Sequence, residues 1–531
     1  MVLTPVVDLI LYNGRIYTMS RPSQVSAIAI AGSTIIAMGD DVSICKLRSK
    51  KTRIINLRGL TVLPAFTDCH VHLYSFGKSL SQINLRNHAT LRTALMEVKN
   101  RGESLAKGQW LLGRGWDKNY WGLDRFPHKM DLDRIVRNPC AFNSHDGHAL
   151  WVNSSALKLA GIDKNTQSPR GGIINRDANG DPSGILLEEA INLVQNIIPG
   201  ESFEAKMQAL MNAQDAALKA GVTGVHDFDE DDDKLKLLQS AYSSGQLELK
   251  VLCAYRRQDF DHLMRFPIIS GFGNPPLRMG PLKLYADGAL GSQTAALFKP
   301  YSGSTNLGVS TLTQNELKYF IKHCEAVGIS CAIHAIGDRA NYDVINAFLS
   351  SDRNHLPNLP RRIEHSQLLR VADIPLLKRS GAVASAQPSH LVADRDTADR
   401  QWGKRCRYAY PFKTLRYHEI PLCFGSDAPI EELNPLKGIN AAVNRCHPDD
   451  ERGPWYPEER ITVRQAIEGF TTNAAIAGGL AQIAGKLAPG YFADLVILSE
   501  NILKISKREL HSIEVVATIA SGRLGYSQIR F

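Results

Sequence analysis

Short apolar runs rich in Val, Ile and Leu recur along the chain, separated by stretches long enough for helices. Eight can be counted: Thr61–Phe66, Val222–His226, Leu249–Ala254, Pro281–Tyr285, Ile329–His334, Arg362–His365, Ala382–Ala386 and Pro421–Phe424. Each gives way to polar residues, and intervening stretches such as Thr313–Val327 and Val371–Lys378 space their apolar positions helically. Strand and helix in alternation predict parallel strands with crossover helices. Eight such units close naturally into a (β/α)8 TIM barrel, an α/β fold.

Two parts break the repeat. Residues 1–60 alternate apolar and polar positions around Asn13-Gly14 and Ala31-Gly32, and residues 485–531 do so around Pro489-Gly490 and Ser521-Gly522, all signals of tight hairpins. The expectation is one small β-sandwich domain built from both chain ends (1–60 plus 485–531) beside a barrel over 61–484. An insertion after the first barrel strand, about residues 78–210, has strand and turn signals of its own at Trp110–Gly113, Pro139–Asn143 and Gly171-Gly172. It is expected to cover the barrel mouth.

Composition narrows the class. With 44% hydrophobic and 22% charged residues over 531 positions, disorder, collagen and coiled coil are excluded. No stretch reaches the roughly 18 uninterrupted apolar residues of a membrane helix, and the apolar start Val2–Tyr12 contains Asp8 and lacks a basic leader, so it reads as a strand. The net charge of +9 is spread along the chain. The basic run Lys46–Arg53 reads as a solvated loop and the acidic run Asp229–Asp233 as a surface loop or helix start. Neither a nucleic-acid nor a membrane partner is expected. Nine cysteines without a Cys-x-x-Cys pair do not form a disulfide framework and point to a reducing, cytoplasmic compartment.

The sharpest local feature is Asp68-Cys69-His70-Val71-His72, directly after the first predicted strand. In an extended segment residues i and i+2 face the same side, so His70 and His72 can present two imidazoles to one ion. His334, His365 and Asp427 follow or terminate strands five, six and eight, at the barrel face where such enzymes keep their chemistry. Three histidines, or two and an acid, are a usual zinc complement. Lys283 in strand four alternates with Leu282 and Leu284, which turns its amine inward. It reads as an ion-pair partner, a nucleophile, or a carbamylated lysine bridging two metals. His226 ends strand two and is placed in the same cavity, on a substrate carbonyl or a metal ligand. Asp287, Ser292 and Thr294 are pocket candidates, and Tyr74, Trp116 and Trp121 are candidate apolar walls. No Gly-x-Ser-x-Gly, His-Glu-x-x-His or Gly-x-x-x-x-Gly-Lys motif is present.

Taken together, LPAFTDCHVH at 63–72, DGHALWVNSSAL at 146–157, GVTGVHDF at 221–228, KLYADGALGSQTAAL at 283–297, HAIGDRA at 334–340, IEHSQ at 363–367, GSDAPI at 425–430 and GKLAPGYFADLVIL toward the end make nearly the whole chain resemble the amidohydrolase superfamily. The resemblance is to its YtcJ-like branch, which includes N-substituted formamide deformylases. It implies His70, His72 and Asp427 on one divalent metal, His334 and His365 on a second, and carbamylated Lys283 between them, with zinc the first choice. It implies a shared hydroxide, with Asp427 taking its proton and passing it to a leaving nitrogen. It further implies that His148 and Asn153 contact a small-molecule amide, an N-acyl or N-formyl amine, and that the chain forms a homodimer as many relatives do. Ala65 stands where the family usually has Gly. The alternatives are a mononuclear deaminase or esterase of the same superfamily, and a non-catalytic binding or regulatory protein that has kept the barrel. Deaminases of the superfamily typically place a Glu a few residues past the strand-five His, where this chain offers only Asp338.

Overall fold

A computed structural model describes residues 6–118, 120–144, 149–351 and 359–529. Eight parallel strands form the central sheet: β1 (Phe66–Val71), β2 (Val222–Asp227), β3 (Lys250–Tyr255), β4 (Leu277–Tyr285), β5 (Cys331–Ala335), β6 (Arg362–His365), β7 (Val383–Ala386) and β8 (Leu422–Phe424). Each is hydrogen-bonded to the next in chain order, β1 through β8. The ends of β8 and β1 then meet: Asp427 N donates to His70 O at 2.7 Å and His72 N to Ala428 O at 2.9 Å. Most strand positions are apolar because helices cover the outside, as in Gln314–Ala326 and Ile374–Ser380, with buried polar side chains such as Lys283, Arg362 and Glu364 the exceptions. Thr313 caps the first of these with a reciprocal Glu316 contact, the local signal that starts it there.

The first barrel strand differs from expectation. Thr61–Pro64 is not its beginning but a strand of another sheet, antiparallel to Leu495–Leu498 and parallel to Arg15–Tyr17. The chain changes sheet at Ala65, whose N–H goes to Asp494 O while that of Phe66 goes to Gly221 O. The apolar run Thr61–Phe66 is buried all along, so hydropathy alone does not reveal the break. In consequence His70 lies within β1 and only His72 follows it.

Both chain ends share that second sheet, ordered Arg523–Ser527, Val515–Ala520, Leu495–Leu498, Thr61–Pro64, Arg15–Tyr17, Gln24–Val25. A four-stranded sheet, Thr34–Gly39, Ala27–Ala31, Leu9–Tyr12, Arg53–Asn56, contributes to the same core through Leu11, Ile28, Ile30 and Ile55 against Ile16, Val62, Leu495 and Ile497. Ala31-Gly32 and Ser521-Gly522 close hairpins. Asn13-Gly14 does not. Leu9–Tyr12 and Arg15–Tyr17 lie in different sheets, so that Leu11 and Ile16 both reach the core between them. Nor does Pro489-Gly490, whose turn leads into residues that hydrogen-bond Ile35.

Phe76–Leu210 is a separate compact unit. Its six-stranded sheet runs Gly172–Arg176, Pro182–Glu188, Ala149–Val152, Cys140–Ser144, Leu111–Trp116, Ile83–Asn84. Trp116 and Trp121 pack edge-on against Trp151 in the core of this unit, and their indole N–H groups go to Phe142 O and His88 O. They are core residues rather than pocket walls, because each large ring finds a backbone acceptor inside its own fold. Among the described residues no helix is long and apolar enough to cross a membrane. All nine cysteines are free thiols.

Gly425 marks the barrel seam. A Cβ there would run into the backbone nitrogen and Cβ of His70 and the carboxylate of Asp68. Gly425→Ala is expected to lower unfolding free energy by about 2–3 kcal/mol through overpacking at this closure. A urea denaturation curve indistinguishable from the parent chain would refute that account of the seam.

Candidate metal centre

The ends of β1, β4, β5, β6 and β8 and the helix after β7 surround one cavity of about 320 Å³. His70, His72, Lys283, His334, His365 and Asp427 line it, together with His390, Tyr285 and Gln367. Asp427 is the hub. Its Oδ1 lies 3.6 Å from His70 Nε2 and 3.2 Å from His72 Nε2, and its Oδ2 lies 3.7 Å from His390 Nε2. The rings of His70 and His365 are 5.0 Å apart, and those of His334 and His365 4.4 Å.

Buried partners orient these rings. His70 Nδ1 donates to Glu364 Oε2 at 2.7 Å, which leaves Nε2 for the cavity. Glu364 is held in turn by Arg362, whose Nε donates to Oε1 at 2.8 Å and whose Nη1 donates to His226 Nδ1 at 2.7 Å. His365 Nδ1 donates to Gln387 Oε1 at 2.8 Å. Asp68 accepts the N–H groups of His70 and Ser426, tying β1 to the loop after β8. His365 and Asp427 both adopt left-handed backbone, φ 71° and 61°. Such strain in non-glycine residues persists where surrounding contacts over-determine it, and it concentrates at functional sites.

The electrostatics suit cation binding. Burial, then the Lys283 charge, lowers the pKa of His70 to about 4 and that of His334 to about 3. Burial also drives His365 well below the usual imidazole range. Burial would raise Asp427, but the surrounding imidazoles of His70, His72 and His365 outweigh it and hold the carboxyl well below its usual range. Burial lowers His72, yet the hydrogen bond and charge of Asp427 reverse the sign and raise it. Lys283, buried with its amine 4.9 Å from the ring centres of Phe228 and Tyr285, is pushed down to about 8 by loss of solvation.

Other expected site residues, among those described, are not on the lining of this cavity. His226 points away from this cavity and lines a small one of about 50 Å³ among Gly224, Leu252, Arg278 and Gly478, because it is the far partner of Arg362. Asp287 Oδ1 lies 3.5 Å from His334 Nε2 at the edge of the site, and its carboxylate also accepts the N–H groups of Ala296, Ile336 and Gly337, knitting the loops after β4 and β5. Ser292 and Thr294 hydrogen-bond each other at 2.7 Å within the same loop. Asn153 caps the helix Ser154–Leu159 and accepts from Cys140 N. Tyr74 is buried and does not line the cavity. His148 lies outside the described residues. Asp229 accepts from Ser75 and the helix Lys234–Ser243 follows the acidic run, so that run starts a helix.

Sequence reasoning missed His390, Glu364, Arg362 and Gln387. A signal existed for each. Arg362 and Glu364 are charges at alternate positions of a four-residue buried strand, and Gln387 and His390 follow β7 as the other polar groups follow their strands.

The donors fit a metal ion. His70, His72 and Asp427 offer two imidazole nitrogens and a carboxylate oxygen within 4.8 Å of one another, and His365, His390 and Asp427 do the same. Imidazole and carboxylate are the ligands zinc and its neighbours take.

With fold and site in hand, the comparisons are specific. The profile of the amidohydrolase family matches residues 53–526, and the chain belongs to that family. It is 33% identical to the putative amidohydrolase YtcJ of Bacillus subtilis, over 97% of this chain and 99% of that protein. It is 25% identical to the N-substituted formamide deformylase of Arthrobacter pascens, over 99% of both chains. Among solved structures, an uncharacterized metal-dependent hydrolase from Pyrococcus furiosus superposes with TM-score 0.77 at 29% identity, covering 93% of this chain and all (100%) of the other.

Glu364→Gln removes the charge that fixes the His70 tautomer, and is expected to weaken metal affinity by about 10- to 100-fold. Competitive chelator titration checks this; an unchanged dissociation constant would separate Glu364 from the site. In the metal-free protein, His70 is expected to stay neutral with its proton on Nδ1 at pH 5.5, since burial holds its pKa near 4. Long-range proton–nitrogen correlation spectra of histidine-labelled protein read that tautomer directly.

Proposed function

We propose that the chain is a metal-dependent hydrolase that cleaves the C–N bond of an amide, with N-acyl and N-formyl amines as its substrate class. One observation carries this reading: His70, His72 and Asp427 converge at the seam between β1 and β8, beside a cavity large enough for a small substrate. A divalent ion held there would lower the pKa of bound water toward neutrality and polarise a carbonyl oxygen.

The chain's own residues do the rest. Asp427 is ionised, with Oδ1 against His70 and His72, and is poised to accept a proton from attacking water and to return it to the departing nitrogen. His70 and His72 hold that carboxylate in place. Lys283, with its pKa brought down to about 8, keeps a neutral fraction near neutral pH. A neutral amine adds carbon dioxide and releases a proton, and the resulting carbamate would supply carboxylate oxygens as metal donors beside the imidazoles of His334 and His365. The similarity to a formamide deformylase supports the choice of amides. Against deamination stands Asp338, whose carboxylate accepts from Phe298 N and lines a different cavity.

Asp427→Asn is expected to lower kcat by about 100- to 10,000-fold, the usual weight of a positioned acid–base group. Parent and variant should be assayed on a panel of N-formyl and N-acetyl amines, esters and amino-heterocycles. Release of carboxylic acid and amine by the metal-loaded parent supports the reading. Ammonia from heterocycles alone, or full activity in the variant, would sink it.

A further inference from the structure

The hydrogen-bond chain that starts at His70 ends on an imidazole with one nitrogen unused. Arg362 can only donate, so His226 Nδ1 accepts and the neutral ring carries its proton on Nε2. His226 is 5% exposed, and that N–H has no acceptor among the described residues. The ring lines the cavity of about 50 Å³ near the starts of β1, β3 and β4. Gly478 lines it too, and a Cβ there would stand 2.8 Å from Nε2, so the missing side chain leaves the N–H open space. A buried donor without a partner calls for an acceptor.

Charge around this cavity is one-sided. Arg278, Lys250 and Lys486 line it, and Asp494 is the one carboxylate among the lining residues. Lys250 takes up Asp494, donating to it and to Ser521 Oγ, both at 2.7 Å. Arg278 donates to backbone alone, Nη1 to Gly478 O at 2.6 Å and Nε to Gly271 O at 3.3 Å. Its charge is therefore unpaired, and burial lowers its pKa with no acid to offset the effect. Lys486 has no ion-pair partner among the described residues.

We propose that this cavity is a binding site for a small inorganic oxyanion of the phosphate class. His226 Nε2 and the Thr67 hydroxyl donate from the barrel wall, and Arg278 and Lys486 supply the charge. A single water needs about 10–15 Å³, so a space of about 50 Å³ admits a group of several heavy atoms. A guanidinium keeps further N–H groups after two backbone contacts, and its planar fork matches an oxyanion better than a single-atom ion such as chloride. None of these residues lines the cavity of His70 and Asp427, so the site stands apart from the hydrolase reading.

The test reads binding rather than turnover. Zinc-loaded, full-length protein is titrated with inorganic phosphate at constant ionic strength by isothermal calorimetry, and proton–nitrogen correlation spectra of histidine-labelled protein follow the His226 ring. Phosphate should bind and move the His226 Nε2–H resonance. Lys486→Gln should weaken that binding by about 10- to 100-fold, the weight of a hydrogen bond to a charged group, and Arg278→Gln should abolish it. Arg278→Gln also removes two backbone contacts, so Lys486→Gln decides the matter where circular dichroism shows the arginine variant misfolded. Phosphate on the metal centre would survive both substitutions. A parent that shows only such binding, or none, overturns the proposal, as does sodium chloride binding here as tightly as phosphate.

Discussion

Two backbone hydrogen bonds, Asp427 N to His70 O and His72 N to Ala428 O, close the barrel and assemble the site at once. Strand β8 is only three residues long, so the seam cannot rely on a full ladder. It is completed instead by residues 425–428, where the absent side chain of Gly425 permits close approach and Asp68 accepts N–H groups from both sides. The left-handed backbone of Asp427 is tolerated because these contacts leave it no relaxed alternative. Closing the fold and aiming the carboxylate are therefore one event.

Below the cavity lies a chain of charge without solvent. His70, Glu364, Arg362 and His226 are joined in sequence by hydrogen bonds of 2.7, 2.8 and 2.7 Å. Burial opposes the ionisation of Glu364, but Arg362 and His70 outweigh it and hold the carboxyl well below its usual range. Removing one member of such a buried pair typically costs about 3–5 kcal/mol, since the other is left uncompensated. The network does not need to be the most stable way to fill this volume. Its consequence is directional: a single tautomer of His70, with the free nitrogen facing the cavity.

Much of the barrel was legible because a parallel strand covered by helices is largely apolar, so polar residues that end such runs stand out. His70, His72, His334, His365 and Asp427 stand out on that ground, and they do line one cavity. The same rule failed at Thr61–Phe66, where an unbroken apolar run serves two sheets, and at Asn13-Gly14, where a turn signal carries the chain from one sheet to another. His226 was misplaced because alternation tells which residues face inward but not at what depth. It sits below Arg362, not beside His70.

Periodicity and residue type by themselves determine the parallel barrel, the inward turn of Lys283 and the presence of imidazoles and a carboxylate at the strand ends, since these follow from local spacing and from the cost of burying polar groups. Which groups meet is decided by the tertiary structure. His390 reaches Asp427 only because a helix starts at Pro388 immediately past β7, and Asp287 is consumed by backbone N–H groups only because two loops fold over it. Distances between residues far apart in the chain depend on how the strands stagger and close, and no local pattern encodes them.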